Sequence, residues 1–427
     1  MPAMRPLSAL AWLWRWMRAG LAVGLLLLAV SGSGLALGDP REKVRAYTRL
    51  MEFDFLSWTV DAVGLKLGQS GLGISGYLTE PARTALVREY VALVSQAAQL
   101  EARVAEIYAD PSQPDPAGAS RPDRTELERV RRRQDAIQPV VESLLQEQIA
   151  VVLAQAGLGI GGQPFPPVSF HMTRVPVALI VSPRDVIRQD ANIQLQADLT
   201  VEEAIDLERR VEQGLDVSAL VVPIGGIGVY PTMVQQTGAL SWMIETVVHE
   251  WIHNYLTFRP LGLNYETSAE LRTMNETVAS LLGESFGSDV LARYYPDLVP
   301  STETEQPSAA PPPAAFDFRA EMRETRVTVD RLLSEGRIDE AEAYLESRRQ
   351  VFWDQGYRIR RLNQAYFAFY GAYADQPGGA AGEDPVGEAV RQLWALSPTP
   401  ASFLRRMAWM DDFGDLQRAL AELTTTR

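Results

Sequence analysis

Residues 249 to 253 read His-Glu-Trp-Ile-His, and this pentapeptide constrains the chain more than any other stretch of its sequence. The 427 residues include only three histidines, and two of them take the first and last of these five positions. On an α-helix, residues four apart lie on one face, about one turn from each other. Two imidazoles at that spacing can bind one metal ion, and a glutamate between them stands beside it. The sequence therefore predicts a helix that carries a metal site.

The residues around the pentapeptide support a helix that is buried along one side. Apolar side chains recur there at helical spacing, which is typical of a helix facing a core: Ile244, Val248, Trp251, Ile252 and Tyr255. Pro260 and Gly262 follow where such a helix is expected to end. We therefore expect a helix over about 241–256.

The composition limits what else could hold the metal. The chain has no cysteine, which excludes disulfides, thiolate nucleophiles, iron–sulfur clusters and zinc fingers. Any metal must therefore be held by His, Asp or Glu. The formal net charge is −14, which argues against a nucleic-acid partner, because such proteins need a basic face. An apolar fraction of 46% favours a globular chain with a core of its own.

Two histidines do not complete a catalytic zinc site, which needs a third protein ligand and an open position. No histidine follows residue 253, so the class with a third downstream histidine is excluded. The candidates are Glu266, Glu270 and Glu276. Thr267 and Glu270 have the spacing of a capping box at a helix start. Glu276 lies opposite an apolar stripe, among small residues that would let another helix approach, although a solvent-exposed glutamate fits the same pattern.

The segment from Met274 to Ala279 reads Met-Asn-Glu-Thr-Val-Ala, and together with the pentapeptide it resembles the gluzincin metallopeptidases. Their pattern is HExxH followed by a helix with NExxA or ExxxD, and the resemblance covers about residues 218–284. It implies one zinc ion per chain held by His249, His253 and Glu276, with Glu250 as the general base for hydrolysis of a peptide bond. It also implies a sheet whose edge strand, expected within 219–234, pairs with the substrate backbone.

The chain departs from that family at two points. Ser280 stands where the ExxxD version has its aspartate, so the usual partner of one histidine is missing, and Glu245 is a substitute candidate. There is no GxMEN segment, so aminopeptidase action is not supported by that route, and the choice between endopeptidase and aminopeptidase stays open.

Some further side chains are candidates for contacts with the substrate. A hydrogen-bond donor is needed to stabilise the oxyanion of peptide hydrolysis, and the candidate donors are Tyr265, Tyr366, Tyr370 and Tyr373. Ordinary packing explains each of these tyrosines as well. His171 lies on a predicted strand, where it is either a hydrogen-bonded strand residue or a substrate contact.

The first 38 residues predict export. Arg5, Arg15 and Arg18 precede an uncharged run over 19–38, which ends in small residues. This arrangement is typical of a signal peptide, and the run is also long enough to stay as a membrane anchor. The arginines would remain in the cytoplasm, placing the rest of the chain outside it. A buried core helix is the alternative.

From these patterns we expect an α+β, mostly helical protein. Its parts would be a helical region over 39–160, a zincin-like core with a small β-sheet and two metal-bearing helices over 161–300, a Pro-rich linker or loop over 301–316, and a helical region over 317–427. The predicted function is that of an exported, membrane-associated zinc peptidase acting on peptides or proteins. The alternative is an exported helical binding protein with a structural or degenerate metal site.

Overall fold

The structure is a computed structural model that describes residues 39–72, 74–109, 114–299, 316–371 and 385–425. In these ranges the chain is mostly helical with small sheets, so the predicted α+β, mostly helical class is confirmed. The predicted signal or anchor (1–38), nearly all of the predicted linker (301–316) and Tyr373 lie outside the described residues.

The region before the sheets consists of helices. They are α1 (Pro40–Thr48), α2 (Phe55–Leu72), α3 (Glu80–Ala109), the short α4 (Pro116–Ala119) and α5 (Arg121–Gln155), with a 3-10 turn at Ile74–Tyr77. The side chain of Asp39 caps the start of α1 by accepting the backbone N–H of Arg41. α3 and α5 pack along each other, and their buried faces form part of the main core.

Eight strands follow, mixed with one helix. They are β1 (Gly159–Ile160), β2 (Gln163–Pro164), β3 (Phe170–Thr173), β4 (Val177–Pro183), β5 (Ala191–Leu195), β6 (Val217–Pro223), β7 (Gly226–Ile227) and β8 (Thr232–Gln235). Helix α6 (Val201–Leu215) lies between β5 and β6 and begins with the capping box of Thr200 and Glu203 that its sequence predicts. Instead of one small sheet, the described residues form two three-stranded sheets and one pair of two-residue strands, β1–β2.

The first three-stranded sheet is antiparallel, in the order β5–β4–β6. Its two faces are both covered, as the alternation along β4 requires. Leu179 and Val181 point to a core shared with α1 and α6, while Ala178 and Ile180 point to a core shared with helix α12 (Gln364–Tyr370). This sheet thereby joins the N-terminal helices to the C-terminal region.

The second three-stranded sheet has the order β3–β8–β7, with β8 parallel to β3 and antiparallel to β7. β8 leads directly into helix α7 (Leu240–Leu256), which carries the His-Glu-Trp-Ile-His segment. The apolar stripe predicted for α7 is buried as expected. β7 has only two residues. The glycines around β7, and Pro231 after it, interrupt the apolar run over 219–234 in which the edge strand was predicted.

Helix α9 (Ala269–Tyr294) follows the short helix α8 (Pro260–Leu263) and crosses α7. Glycines allow the close crossing: a methyl group at Gly283 would lie 3.1 Å from the carbonyl oxygen of Glu245 and 3.3 Å from Cβ of His249. The capping box predicted for Thr267 and Glu270 is wrong. Ser268 caps the helix instead by accepting the N–H of Leu271, so α9 starts one residue later than that box requires.

The remaining helices complete the protein. They are α10 (Phe318–Ser334), α11 (Ile338–Asp354), α12, α13 (Pro385–Leu396), α14 (Pro400–Met407) and α15 (Phe413–Thr425), with a 3-10 turn at Pro296–Leu298. Gly336 and Gly356 both have positive φ and follow the ends of α10 and α11, where glycine adopts that conformation without strain. α13 and α14 pack against α9 and α15 packs against α13, all as part of the main core, whereas α10 and α11 form a separate small core.

Candidate metal centre

Three of the predicted ligand side chains converge between α7 and α9. Nε2 of His249 lies 3.1 Å from Nε2 of His253. Oε2 of Glu276 lies 3.5 Å from the first of these nitrogens and 3.6 Å from the second. The crossing of the two helices therefore brings together one donor atom from each of the three residues. Glu276 joins the two histidines although it lies more than twenty positions after them in the sequence.

These distances fit a tetrahedral zinc ion. With bonds of about 2.0–2.2 Å, two ligand atoms on a tetrahedron lie about 3.3–3.5 Å apart. The three measured separations scatter around that value. Within the described part of the chain, this group offers three protein donors to one point, which leaves a fourth position for water or substrate.

Asn275 fixes the orientation of His253, a role that the sequence did not reveal. Its Oδ1 lies 2.8 Å from Nδ1 of His253, and its Nδ2 donates to the carbonyl oxygen of Leu261 at 3.2 Å. The second bond determines which way the amide points, so Nδ1 of His253 must donate to an oxygen. Nε2 is thereby left to face Glu276 as a metal ligand requires.

The two oxygens of Glu276 have different surroundings. Oε1 accepts a hydrogen bond from the hydroxyl of Tyr265, whereas Oε2 is buried and has no hydrogen-bond partner among the described residues. Burial, the largest single influence, would raise the pKa of Glu276, but the interactions with His253 and His249 together outweigh it and hold that pKa well below its usual range. A buried, ionised oxygen without a donor is costly unless a cation binds it.

His253 responds in the opposite direction. Burial lowers its pKa, but the carboxylate of Glu276 outweighs burial and raises it to about 9. Without a metal, His253 therefore holds a proton at neutral pH. A metal ion must displace that proton from Nε2, as is usual for ligands that bind only when deprotonated.

Glu250 is buried beside the three candidate ligands and does not belong to that group. Burial raises its pKa, since the charged form loses water. The turn around β7 passes directly over it: a methyl group at Gly226 would lie 2.8 Å from Oε1 of Glu250, and one at Gly228 would lie 3.0 Å from Cβ of His253. Side chains at these positions would separate the backbone from the site, so both glycines permit the close approach.

The centre opens into a cleft of about 1050 Å³. At the end near the start of α7, the cleft is lined by Trp242, Glu245 and Glu284, together with Tyr370 from α12. At the other end it is lined by Tyr265, Glu266 and Arg41. A cleft of that volume is large enough to hold a ligand beside the three candidate ligand atoms.

The other predicted residues lie at various distances from this centre. Tyr265 and Tyr370 line the cleft, while Tyr366 packs against the ring of Tyr370 at 4.5 Å and is not among the cleft-lining residues. His171 lies on β3, where Nδ1 is 2.9 Å from the buried carboxylate of Glu142, and it is not among those lining residues either. Glu245 lines the cleft as well, one turn before His249.

The two other candidates for the third ligand are both exposed. Glu266 pairs with Arg41 at the rim of the cleft. Glu270 lies in the first turn of α9 with its side chain in solvent.

Comparison of the chain with protein-family models, with curated proteins and with solved structures finds no match. Within the described ranges, no helix combines the length and the apolarity needed to cross a bilayer.

Proposed function

We propose that this protein is a zinc-dependent peptidase of gluzincin type, exported and associated with the membrane. The observation that carries the proposal is the convergence of His249, His253 and Glu276 on one point with tetrahedral spacing, with Glu250 beside them and outside the ligand set. The resemblance of the two sequence motifs to that family supports it.

The chemistry follows from what each side chain can do. A zinc ion held by His249, His253 and Glu276 would supply Lewis acidity at the scissile carbonyl and lower the pKa of a water. Glu250 accepts the proton of the attacking water and delivers it to the leaving nitrogen. Burial raises the pKa of Glu250 toward neutral pH, and a carboxylate with such a pKa can both accept a proton and return it.

The glycine-rich turn around β7 would align the substrate. Its backbone lies next to Glu250 and His253 with no side chain between, and β7 is at the edge of its sheet, where an extended peptide could pair with it. Tyr265 holds Glu276 through a hydrogen bond, which makes it a positioning residue in this arrangement. Tyr370 remains a candidate oxyanion donor because it lines the cleft.

A purely structural metal site is the weaker explanation. A closed site would use four protein ligands, whereas the described residues contribute three and border an open cleft. A structural site would also have no use for a buried glutamate next to the metal that is not itself a ligand.

The test compares the full-length wild type with Glu250→Gln. Gln has nearly the same shape and can hydrogen-bond water, but it cannot accept a proton. We expect about one zinc per chain in both proteins by elemental analysis, and a drop in peptide hydrolysis of about 10²–10⁴-fold in the variant. Glu388→Gln, on the exposed side of α13, serves as the matched control with the same chemical change.

Two results would contradict the proposal. Loss of zinc in Glu250→Gln would make this residue a ligand or a support of the site. A wild type that binds zinc but cleaves nothing in a broad peptide library would favour the binding-protein alternative. Export is tested separately with a reporter fused after Asp39, which should be active only outside the cytoplasm.

A further inference from the structure

Helix α2 (Phe55–Leu72) has an unusual distribution of polar and apolar residues. On its inner side it places Lys66, whose side chain is 10% exposed, and Ala62, which is buried. On its outer side it places four aliphatic residues in solvent: Leu56, Val60, Val63 and Leu67, which are 76%, 62%, 39% and 71% exposed. A surface helix normally shows the opposite arrangement, with its apolar stripe facing the core.

The four exposed residues form one stripe and are not scattered. At about 100° per residue, positions 56, 60, 63 and 67 fall within a sector of about 60°. None of these four is charged, and Ser57, Gly64 and Gly68 form the neighbouring sector. Single exposed apolar residues are common, but a continuous stripe marks a surface that is covered by something apolar.

A buried ion pair fixes this orientation. Nζ of Lys66 lies 2.5 Å from Oε2 of Glu142 on α5, and it also lies 5.5 Å from the ring centre of Phe170. Rotating α2 to bury the stripe would pull Lys66 away from a carboxylate that is fully buried. Separating the two partners would leave a buried charge without a counter-charge, which is strongly destabilising. The stripe is therefore held outward by the interior of the protein.

The position of α2 in the chain indicates what covers the stripe. It begins seventeen residues after the uncharged run over 19–38, which is long enough to span a bilayer. The connection consists of nine-residue α1 and a few residues on either side, which together can reach at most about 40 Å. If the run stays in the membrane, α2 cannot move far from the membrane surface.

We propose that the outer stripe of α2 lies on a lipid bilayer, with its aliphatic side chains at the boundary between headgroups and acyl chains. α2 lies in the interface and does not cross it, since no described helix is both long and apolar enough to span a bilayer. The stripe has no basic residue, so hydrocarbon contact alone holds it and neutral lipids suffice. This proposal rests on the predicted membrane segment and is independent of peptidase activity.

The absence of cysteine in the sequence allows a direct test. Single cysteines replace Val60, Leu67, Asp61 and Glu388 in four full-length proteins, all at exposed positions, and carry a polarity-sensitive dye. Each protein is reconstituted into neutral phosphatidylcholine vesicles, with and without doxyl-labelled lipid as quencher. Circular dichroism and the midpoint of thermal unfolding confirm that each variant folds.

We expect the dyes at 60 and 67 to shift to the blue and to be quenched several-fold more than the dyes at 61 and 388. Asp61 lies about 100° around the helix from Val60 and is the matched control. Quenching should be unchanged by high salt, because no charge contributes. Equal quenching at 60, 67 and 388 would overturn the proposal. A blue shift that occurs without lipid quenching and grows with protein density would also overturn the proposal. It would mean that a second copy of the chain covers the stripe.

Discussion

Among the buried glutamates of the described residues, Glu142 and Glu276 both have a lowered pKa, but their oxygens have different partners. Glu142 on α5 has partners at both oxygens: Oε1 accepts from the backbone N–H of Met172 at 2.8 Å and lies 2.9 Å from Nδ1 of His171, and Oε2 pairs with Lys66. Glu276 on α9 has a partner at Oε1 only. Each carboxylate also has a histidine close by.

The difference shows how to tell a structural cluster from a site. At Glu142 the cation is part of the chain, so the cluster is complete and nothing further can bind. At Glu276 the two nearby imidazole nitrogens are held too far from Oε2 for a hydrogen bond, at distances that suit a shared metal ion. An unsatisfied, buried, ionised oxygen facing two nitrogens is the feature that the complete cluster lacks.

The largest expected effect tests the complete cluster. Glu142→Gln keeps an acceptor for Met172 but leaves Lys66 buried without a counter-charge, so the free energy of unfolding should fall by about 3–5 kcal/mol. Urea unfolding of the metal-free protein at pH 7 measures this. Adding Lys66→Met to the same protein should recover part of the loss. Zinc content of the folded variant should stay at the wild-type value, and its loss would mean that the two clusters are coupled.

The same substitution at Glu276 should act on zinc. A neutral amide is a poor replacement for the third ligand, so zinc affinity should fall by more than about 100-fold, beyond the usual cost of losing a residue that only supports a ligand. Competition with a chelator of known affinity measures it. Glu266→Gln and Glu270→Gln are the controls and should bind zinc normally. If Glu276→Gln binds fully while one of those two does not, the third ligand has been assigned to the wrong residue.

Asn275 should have a smaller effect on the same measurement. Asn275→Ala removes the acceptor that orients Nδ1 of His253, and zinc affinity should fall by about 10–100-fold. Asn275→Asp keeps an oxygen at that position and should bind zinc more tightly than the alanine variant. Equal affinity in the two variants would show that the amide contributes through packing alone.

Glu142 should also give the stability of the protein a pH dependence. Burial alone would raise its pKa, but the hydrogen bond with His171 and the charge of Lys66 lower it from 4.5 to about 2. A carboxyl whose pKa is lower in the folded state stabilises that state above its unfolded pKa, and this stability is lost as the pH falls from about 4.5 to about 2. The slope is at most about 1.4 kcal/mol per pH unit for one proton.

Measuring the free energy of unfolding of wild type and Glu142→Gln over that pH range isolates this contribution. The difference between the two proteins should shrink as the pH falls, because protonation gives the wild type a neutral group as well. A constant difference would show that Glu142 does not titrate in this window.

The sequence predicted the residues of the candidate metal centre better than the residues that orient them. His249, Glu250 and His253 lie within five residues on a strongly periodic helix, so local spacing alone places them together. Glu276 could be predicted as the third ligand because small residues surround it on the second helix. Asn275 is next to it in sequence, but its role depends on how α8 and α9 pack, which periodicity does not reveal.

The sheets and the cluster around Glu142 show what local sequence patterns could not predict. β7 has two residues, too short to produce a pattern of its own, and so it was predicted as part of one longer strand. Lys66, Glu142 and His171 come from three elements far apart in the chain, and no local spacing connects them. The substrate contact considered for His171 stays a prediction, but its position at Glu142 explains the residue without one.

The close crossing at Gly283 has a consequence for which sequences this protein can tolerate. The distance between α7 and α9 is set by backbone against backbone, so no rotamer change on either helix can absorb an added methyl group there. In a library of all single substitutions, Gly283 should therefore accept fewer replacements than Glu284, its exposed neighbour in the same cleft. Gly283 would then restrict the sequence although it offers a metal no ligand atom at all.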